Sequence, residues 1–585
     1  MKRISTIHAF FETAAREPER VALKRRLPDG RWASLTRSEY AREVRRVARA
    51  LIALGVRPGE RIALCGPNRP EWLLSDLGAL AAGAVPAPYY PTLPPEQAAY
   101  VVEHSEAVLA IVHDARQIAK LDAVQGGLSR LRARVVMEGS APGALGWADF
   151  LARADEVPDS AVEERLSDLK SGSLATLIYT SGTTGPPKAV MISHANMLFS
   201  AEVVREQIEF RPGDELVSYL PLSHIAEQMA SIHGPSVNGY CIACCEKLDE
   251  LPEVLREVRP TIFLGVPRVW EKIQARLEER LREAKPLKRA LFRWAQKTAL
   301  SRARGERPLL HGAAEALVLG KVRAALGFDR ARRLGTTAAP TPRAILEYFE
   351  SLGMPLYEVY GQSECTGAAT GNTPGQRKVS SVGRPLPRTE VRLSEDGEIL
   401  IRGPHVFLGY FKDPEATAAA LTGDGWLRTG DIGRIDGDGF VHVTDRKKDI
   451  LITSGGKNVS PQNIEGQLAR IPGVAHAVVV GDARKHLAAL LALDREAALR
   501  EAQTSFAFAG TVEALCLDPR FIERIARGVE EVNRGLASYE TIKRFRLLPV
   551  EFGIESGELT PTLKLRRKMV NQRFAREIEE LFAQA

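Results

Sequence analysis

The stretch YTSGTTGPPKAVMISH (179–194) packs Ser181, Gly182, Thr183, Thr184, Gly185 and Lys188 into eight residues. Glycines let backbone N–H groups converge on a point. With hydroxyls and one ammonium beside them, the matching ligand is a set of phosphate oxygens. The pattern is not the G-x-x-x-x-G-K-[ST] loop: two prolines separate Lys188 from Gly185, and Ala189 follows it. The flanks LATLIYT (174–180) and AVMIS (189–193) read as strands, so this loop joins two strands and opens no helix. Taken alone, a Gly/Ser/Thr cluster fits an ordinary surface turn equally well.

Other stretches carry chemistry of the same kind. YGQSECTG (360–367) lacks the final glycine of a G-x-S-x-G nucleophile turn, which argues against a serine hydrolase. Its Glu364 offers hard oxygens to a cation such as Mg2+, and Tyr360 offers a flat face to a base. In GWLRTGDIG (425–433), Asp431 sits on a glycine-flanked turn, where a carboxylate accepts hydrogen bonds from two vicinal hydroxyls. ELTPTLKLRRKMV (558–570) holds Lys564, which by itself is a solvated charge in a basic run. CIACCE (241–246) has no second ligand pair for zinc, so a buried apolar strand with small thiols is expected.

The elements that must position these residues alternate. Residues 38–54 read as an amphipathic helix, RIALC (61–65) as a strand and EWLLSDLGALAAG (71–83) as a helix. Such alternation predicts α/β layers on largely parallel sheets. Residues 268–334 are helical in pattern and basic, as in KPLKRALFRWAQKTALSRARGER. A solvated basic helix is the plain expectation. The sharper one is a helix lying on anionic headgroups, with Phe292 and Trp294 dipping into the lipid. Beyond residue 390, short strands alternate with Gly/Asp hairpin turns, and the charged run DRKKD (445–449) falls between two strands.

At 585 residues the chain exceeds a single core, so two or more domains are expected. Eighty Lys and Arg against 73 Asp and Glu leave +7, a balance that argues against a dedicated nucleic-acid binder. Six cysteines do not make a disulfide framework, and a cytoplasmic setting is expected. The N-terminal MKRISTIHAFFETAAREPER does not read as a signal peptide, and no apolar stretch is long enough to span a bilayer.

In this order and spacing the motifs resemble the adenylate-forming (AMP-binding) superfamily of acyl-CoA synthetases, luciferases and peptide-synthetase adenylation domains, from about residue 10 to the C-terminus. SYLPLSHIAEQ (218–228), GVPRVWEKI (265–273) and GPHVFLGYFKDPEAT (403–417) are most similar to its long-chain fatty acyl-CoA synthetases of the bubblegum type. The resemblance implies an α/β fold: a large N-terminal domain of α/β layers plus a β-barrel-like subdomain, with a small α+β C-terminal domain on a hinge. Residues 1–445 would bind nucleotide and acyl group, 446–448 would form the hinge, and 449–585 the mobile domain. It implies ATP-dependent conversion of a long-chain fatty acid to acyl-AMP, then transfer to CoA with Mg2+ as cofactor.

The site residues carry over one by one. Ser181, Gly182, Thr183, Thr184, Gly185 and Lys188 would hold the β- and γ-phosphates, with Thr184 and Glu364 near Mg2+. Tyr360, Gly361 and the backbone of Ala338, Ala339 and Pro340 would line the adenine pocket. Asp431 would take the ribose hydroxyls, assisted by Arg446. Lys564 matches the catalytic lysine, and Lys448 the hinge residue. After domain rotation, Gly455, Gly456 and Lys457 would line the pantetheine channel. His224 and Trp270 match positions near the acyl tunnel, although core packing accounts for Trp270 as well. Ala189 and Cys365 are departures from the usual pattern, both at small side chains. Two rivals stay open: an adenylate-forming ligase for another acid or a carrier-protein thiol, and a nucleotide- or lipid-binding homologue without turnover.

Overall fold

The computed structural model describes residues 3–124, 128–180, 187–454, 457–560 and 564–583. Two largely parallel sheets build the large N-terminal part. One has five strands, in the order Val85–Pro88, Arg61–Cys65, Ala107–Val112, Ala133–Val136 and Leu145–Gly146, all parallel. The other has nine. Its centre is the parallel run Leu356–Gln362, Arg333–Thr336, Ile262–Gly265, Glu215–Ser218, Cys241–Cys244 and Val21–Arg26, with antiparallel strands at both edges. The expected alternation is therefore present, and the five-stranded sheet contains near-continuous buried apolar runs such as RIALC and AVLAIV.

Local signals explain several boundaries. The helix Arg37–Ala53 starts at a capping box, Thr36 with Glu39, and the helix Pro70–Ala81 starts on a proline. Cys241–Cys244 is a fully buried strand, as its small apolar residues require. Leu174–Thr180 and Lys188–Ser193, the strands flanking the phosphate-type loop, pair antiparallel, and Gly409–Tyr410 extends them to three strands. The hairpins after residue 390 form a four-stranded antiparallel sheet ending in Leu427–Ile435 and Val441–Arg446.

The hydrophobic clusters divide near residue 445. One reaches from Ile7 to Val441 and another begins at Leu451. The C-terminal part packs helices on the sheet Val474–Val480, Leu487–Leu493 and Ile542–Leu548.

The basic segment is helical over Pro267–Glu283 and Pro286–Ala303, but its aromatics do not face outward. Phe292 is 9% exposed in the core, and Trp294 packs against the same cluster. The exposed large apolar residues of segment 268–334 are Leu287, Leu291, Leu309, Leu310 and Leu317. The most apolar atoms sought the interior of the large domain because the helix packs on Arg343–Ser351. Among the described residues no helix is long and apolar enough to cross a membrane.

Candidate active site

A cavity of about 1600 Å3 lies where the C-terminal ends of the parallel strands meet the small C-terminal part. Open α/β sheets place ligand sites at that edge. Tyr360 and Gly361 enter it from the strand Leu356–Gln362. A Cβ on Gly361 would lie 1.6 Å from the Gly367 carbonyl oxygen, so only glycine permits this close strand pairing. Asp431 and Arg446 are direct cross-strand neighbours in the antiparallel sheet. The Tyr360 hydroxyl donates to Asp431 Oδ2 at 2.7 Å, and Arg446 Nε lies 3.2 Å from Oδ1. At 4% exposure the Asp431 carboxylate needs such partners. Burial works against the charge on Arg446, but Asp431 and Glu364 outweigh it and raise its pKa.

Glu364 stands on the short turn Ser363–Cys365. Its carbonyl accepts from Phe407 N at 2.9 Å, and its Oε1 accepts from the Tyr410 hydroxyl at 2.8 Å. Lys188 Nζ lies 5.0 Å from the centre of the Tyr410 ring and 3.8 Å from Asp413 Oδ2. One tyrosine thus links the loop lysine to the carboxylate. Ser181, Gly182, Thr183, Thr184 and Gly185 lie outside the described residues. Ala338, Ala339 and Pro340 follow the strand Arg333–Thr336 on the cavity wall, with Ala338 at φ 74°. Strain of this kind clusters at functional sites.

Lys564 reaches the cavity from the C-terminal part. Its loop is braced on both sides: Thr560 N donates to Lys564 O at 2.8 Å, and Lys564 N donates to Thr560 Oγ1 at 3.0 Å. Burial first, then the nearby Arg446 charge, lowers its pKa to about 8 against the pull of Asp431 and Glu364. His224 lies on the same wall, capping the helix Ile225–Gln228 through Nδ1. Burial and then Lys564 lower its pKa to about 3, so it is neutral. Lys448 also lines the cavity, while its neighbour Lys447 is tied to Asp396 at 2.6 Å and Glu398 at 3.0 Å.

Trp270 and Lys457 lie off the cavity wall in this domain arrangement, and Lys457 is expected at the site only after rotation. Trp270 is 0% exposed, packed among Phe263, Phe328 and Phe349, and is absent from the cavity wall. Its large ring fills the core beside Gly265. Lys457 is exposed and away from the cavity, while Gly455 and Gly456 lie outside the described residues. The apolar arm of the cavity is lined instead by Ala201, Val204, Leu216, Met229 and Ile262.

Residues 10–411 match the AMP-binding enzyme family, and residues 448–585 match the AMP-binding enzyme C-terminal domain. The chain belongs to the AMP-binding enzyme family. It is 37% identical to long-chain-fatty-acid–CoA ligase FadD15 of Mycobacterium tuberculosis, over 98% of this chain and 96% of that one. It is 33% identical to long-chain-fatty-acid–CoA ligase ACSBG2 of Xenopus laevis, over 99% of this chain and 84% of the relative. Among solved structures, the adenylation domain of a Mycobacterium chelonae carboxylate reductase has a TM-score of 0.78 at 21% identity, covering all of this chain and 92% of its own. The anthranilate CoA ligase AuaEII bound to anthranoyl-AMP has a TM-score of 0.75 at 20% identity, covering 98% of each chain. The fold is that of the adenylate-forming enzymes.

Within this AMP-binding enzyme, one cavity gathers Lys188, His224, Ala338, Ala339, Pro340, Tyr360, Gly361, Glu364, Asp431, Arg446, Lys448 and Lys564. The sequence reading passed over Tyr410, although the GYF of GPHVFLGYFKDPEAT marks an aromatic at a glycine turn. It also passed over the pair Arg567–Glu465, at 2.7 Å, which fixes the helix start just after Lys564. No local signal marks that pair, because its residues are 102 positions apart. The gathered groups can hold a polyanion, accept two hydroxyls at one carboxylate and bring one ammonium to the junction.

Proposed function

We propose that this chain is a long-chain fatty acid–CoA ligase working in two steps. The observation that carries the reading is Lys564, delivered by the C-terminal part to the cavity that holds Asp431, Glu364 and an apolar arm. A carboxylate is a poor electrophile, because its leaving group would be oxide. In the first step its oxygen attacks the α-phosphorus of ATP and pyrophosphate leaves, giving acyl-AMP. Two anions at ~4 Å repel by about 4 kcal/mol at an effective dielectric of 20. The Lys564 ammonium offsets that repulsion and the charge building on phosphorus. Asp431 receives the ribose hydroxyls, Arg446 holds Asp431, and Tyr360, Gly361 and Ala338–Pro340 flank the base. His224 lies on the wall near the acyl carboxylate.

The loop residues Ser181–Gly185 with Lys188 take the β- and γ-phosphates. Glu364 and Thr184 would hold Mg2+. Glu364 fits that role, because of its two carboxylate oxygens only Oε1 accepts a hydrogen bond among the described residues. The ion, when bound, neutralises triphosphate charge.

In the second step the CoA sulfur attacks the acyl carbonyl and AMP leaves. For this the part 449–585 turns on the hinge 446–448 at Lys448, withdrawing Lys564 and bringing in Gly455, Gly456 and Lys457. The tie of Lys447 to Asp396 and Glu398 holds one side of that hinge. The enzyme works in the cytoplasm and touches anionic membrane through the basic segment 268–334.

Pyrophosphate release across acids of graded length, with and without CoA, tests the reading. Release with long-chain acids, and thioester only with CoA, is expected. No release with any acid would leave a binding protein, and release only with aryl acids would assign another ligase.

A further inference from the structure

The apolar arm runs the length of the central strands. Ile262 and Leu264 of one strand line the cavity, as do Arg333 and Thr336 of the next. These strands are parallel, so the reactive groups after Thr336 and at Gly361 sit at one edge of the sheet. Phe210, Leu216 and Tyr240 line the cavity near the opposite edge, where the strands Glu215–Ser218 and Cys241–Cys244 begin.

Tyr240 is held there by three contacts. Its ring stacks on Phe210 with centroids 5.0 Å apart and planes 11° apart. Its hydroxyl donates to the Ala230 carbonyl at 2.7 Å. A Cβ on Gly234 would lie 2.3 Å from that hydroxyl, so the helix beside it leaves no room for displacement. Ala230 belongs to the π-helical turn Met229–His233, a widened turn of the kind found at functional sites. Beside this fixed ring the lining includes small or pliable residues, Ala201, Ala230 and Met229.

We infer that Tyr240, braced by Phe210 and the π turn, is the end wall of the acyl arm and sets the longest chain the site accepts. The inference rests on the ligase reading and adds its chain-length determinant. A saturated tail has no polar group to bend toward, so a chain that meets an immovable ring forfeits its register at the carboxylate. Rejection then shows in kcat/KM and not in ATP binding.

The test measures pyrophosphate release with saturated acids of increasing length, for wild type, Tyr240→Ala, Phe210→Ala and Ala230→Phe. Tyr240→Ala and Phe210→Ala should move the optimum to longer acids, with at least a ~10-fold gain in the long-to-medium kcat/KM ratio. Ala230→Phe should move it to shorter acids. All three should keep the wild-type KM for ATP. Opposite shifts from widening and narrowing cannot come from general loss of folding. Length profiles that superimpose on wild type, in variants that still bind ATP, overturn the end-wall assignment alone. A wild type that activates no fatty acid overturns the ligase reading, and the assignment falls with it.

Discussion

Asp431 and Arg446 face each other across one antiparallel strand pair, 3.2 Å apart, with the Tyr360 hydroxyl on the other carboxylate oxygen. The carboxylate is thereby oriented before any ribose arrives. A hydrogen bond to a charged group contributes about 1.5–3 kcal/mol, so Asp431→Ala should raise the KM for ATP by about 10- to 100-fold. Tyr360→Phe keeps the ring and should raise it less. Isothermal titration with ATP in place of kinetics checks both.

Lys564→Ala should slow adenylation by about 10²–10³. The same variant should still convert supplied acyl-AMP and CoA to thioester, because the second step does not need this ammonium. A stopped assay of each half-reaction separates the two. Equal loss in both would show that the lysine does not act in the first step alone.

The pH profile follows from the same residue. Lys564 has its pKa lowered to about 8, so the free enzyme carries the needed cation below that pH and loses it above. The kcat/KM for adenylation should therefore fall as pH rises through about 8, since this parameter reports the free enzyme. In Lys564→Arg the alkaline limb should disappear, whatever the absolute rate.

Asp76 is buried, and neither carboxylate oxygen has a partner among the described residues. Burial alone raises its pKa from 3.8 to about 7. In that window the folded chain holds a proton that the unfolded chain has released. Stability therefore falls as pH rises from 3.8 to about 7, by a contribution on the order of a few kcal/mol. Asp76→Asn removes the ionisation. Its Tm relative to wild type should improve on going from pH 4 to pH 8. A difference that does not change with pH would show that Asp76 does not titrate there.

The segment 285–310 carries eight Lys or Arg and one acid, Glu306. Leu287 and Leu309 stand out from it at 80% and 100% exposure. Charged headgroups attract such a surface by about 1 kcal/mol per basic residue, and aliphatic tips add apolar burial. Sedimentation with anionic vesicles should lose the enzyme on Leu309→Asp with Leu310→Asp, and at high salt. Neutral vesicles should not bind it. Phe292→Ser should instead lower Tm, because that ring lies in the core.

Motifs built from neighbours in the chain were legible without coordinates. The paired strands Leu174–Thr180 and Lys188–Ser193, the buried strand at Cys241–Cys244 and the hairpins after 390 follow from alternation, turn residues and close spacing, which are local causes. The same holds for Lys188, Tyr360, Glu364, Asp431 and Lys564, whose identities are written in short runs. Facing was not legible. Trp270, Phe292 and Trp294 sit in patterns that suit lipid or tunnel equally well, and only the packing of distant helices turned them inward. Nor could any local signal join Tyr410 to Glu364, 46 residues away, or set Lys564 beside His224. Those meetings depend on which surfaces bury each other once the chain closes, a sum over long-range contacts that no window of neighbours contains.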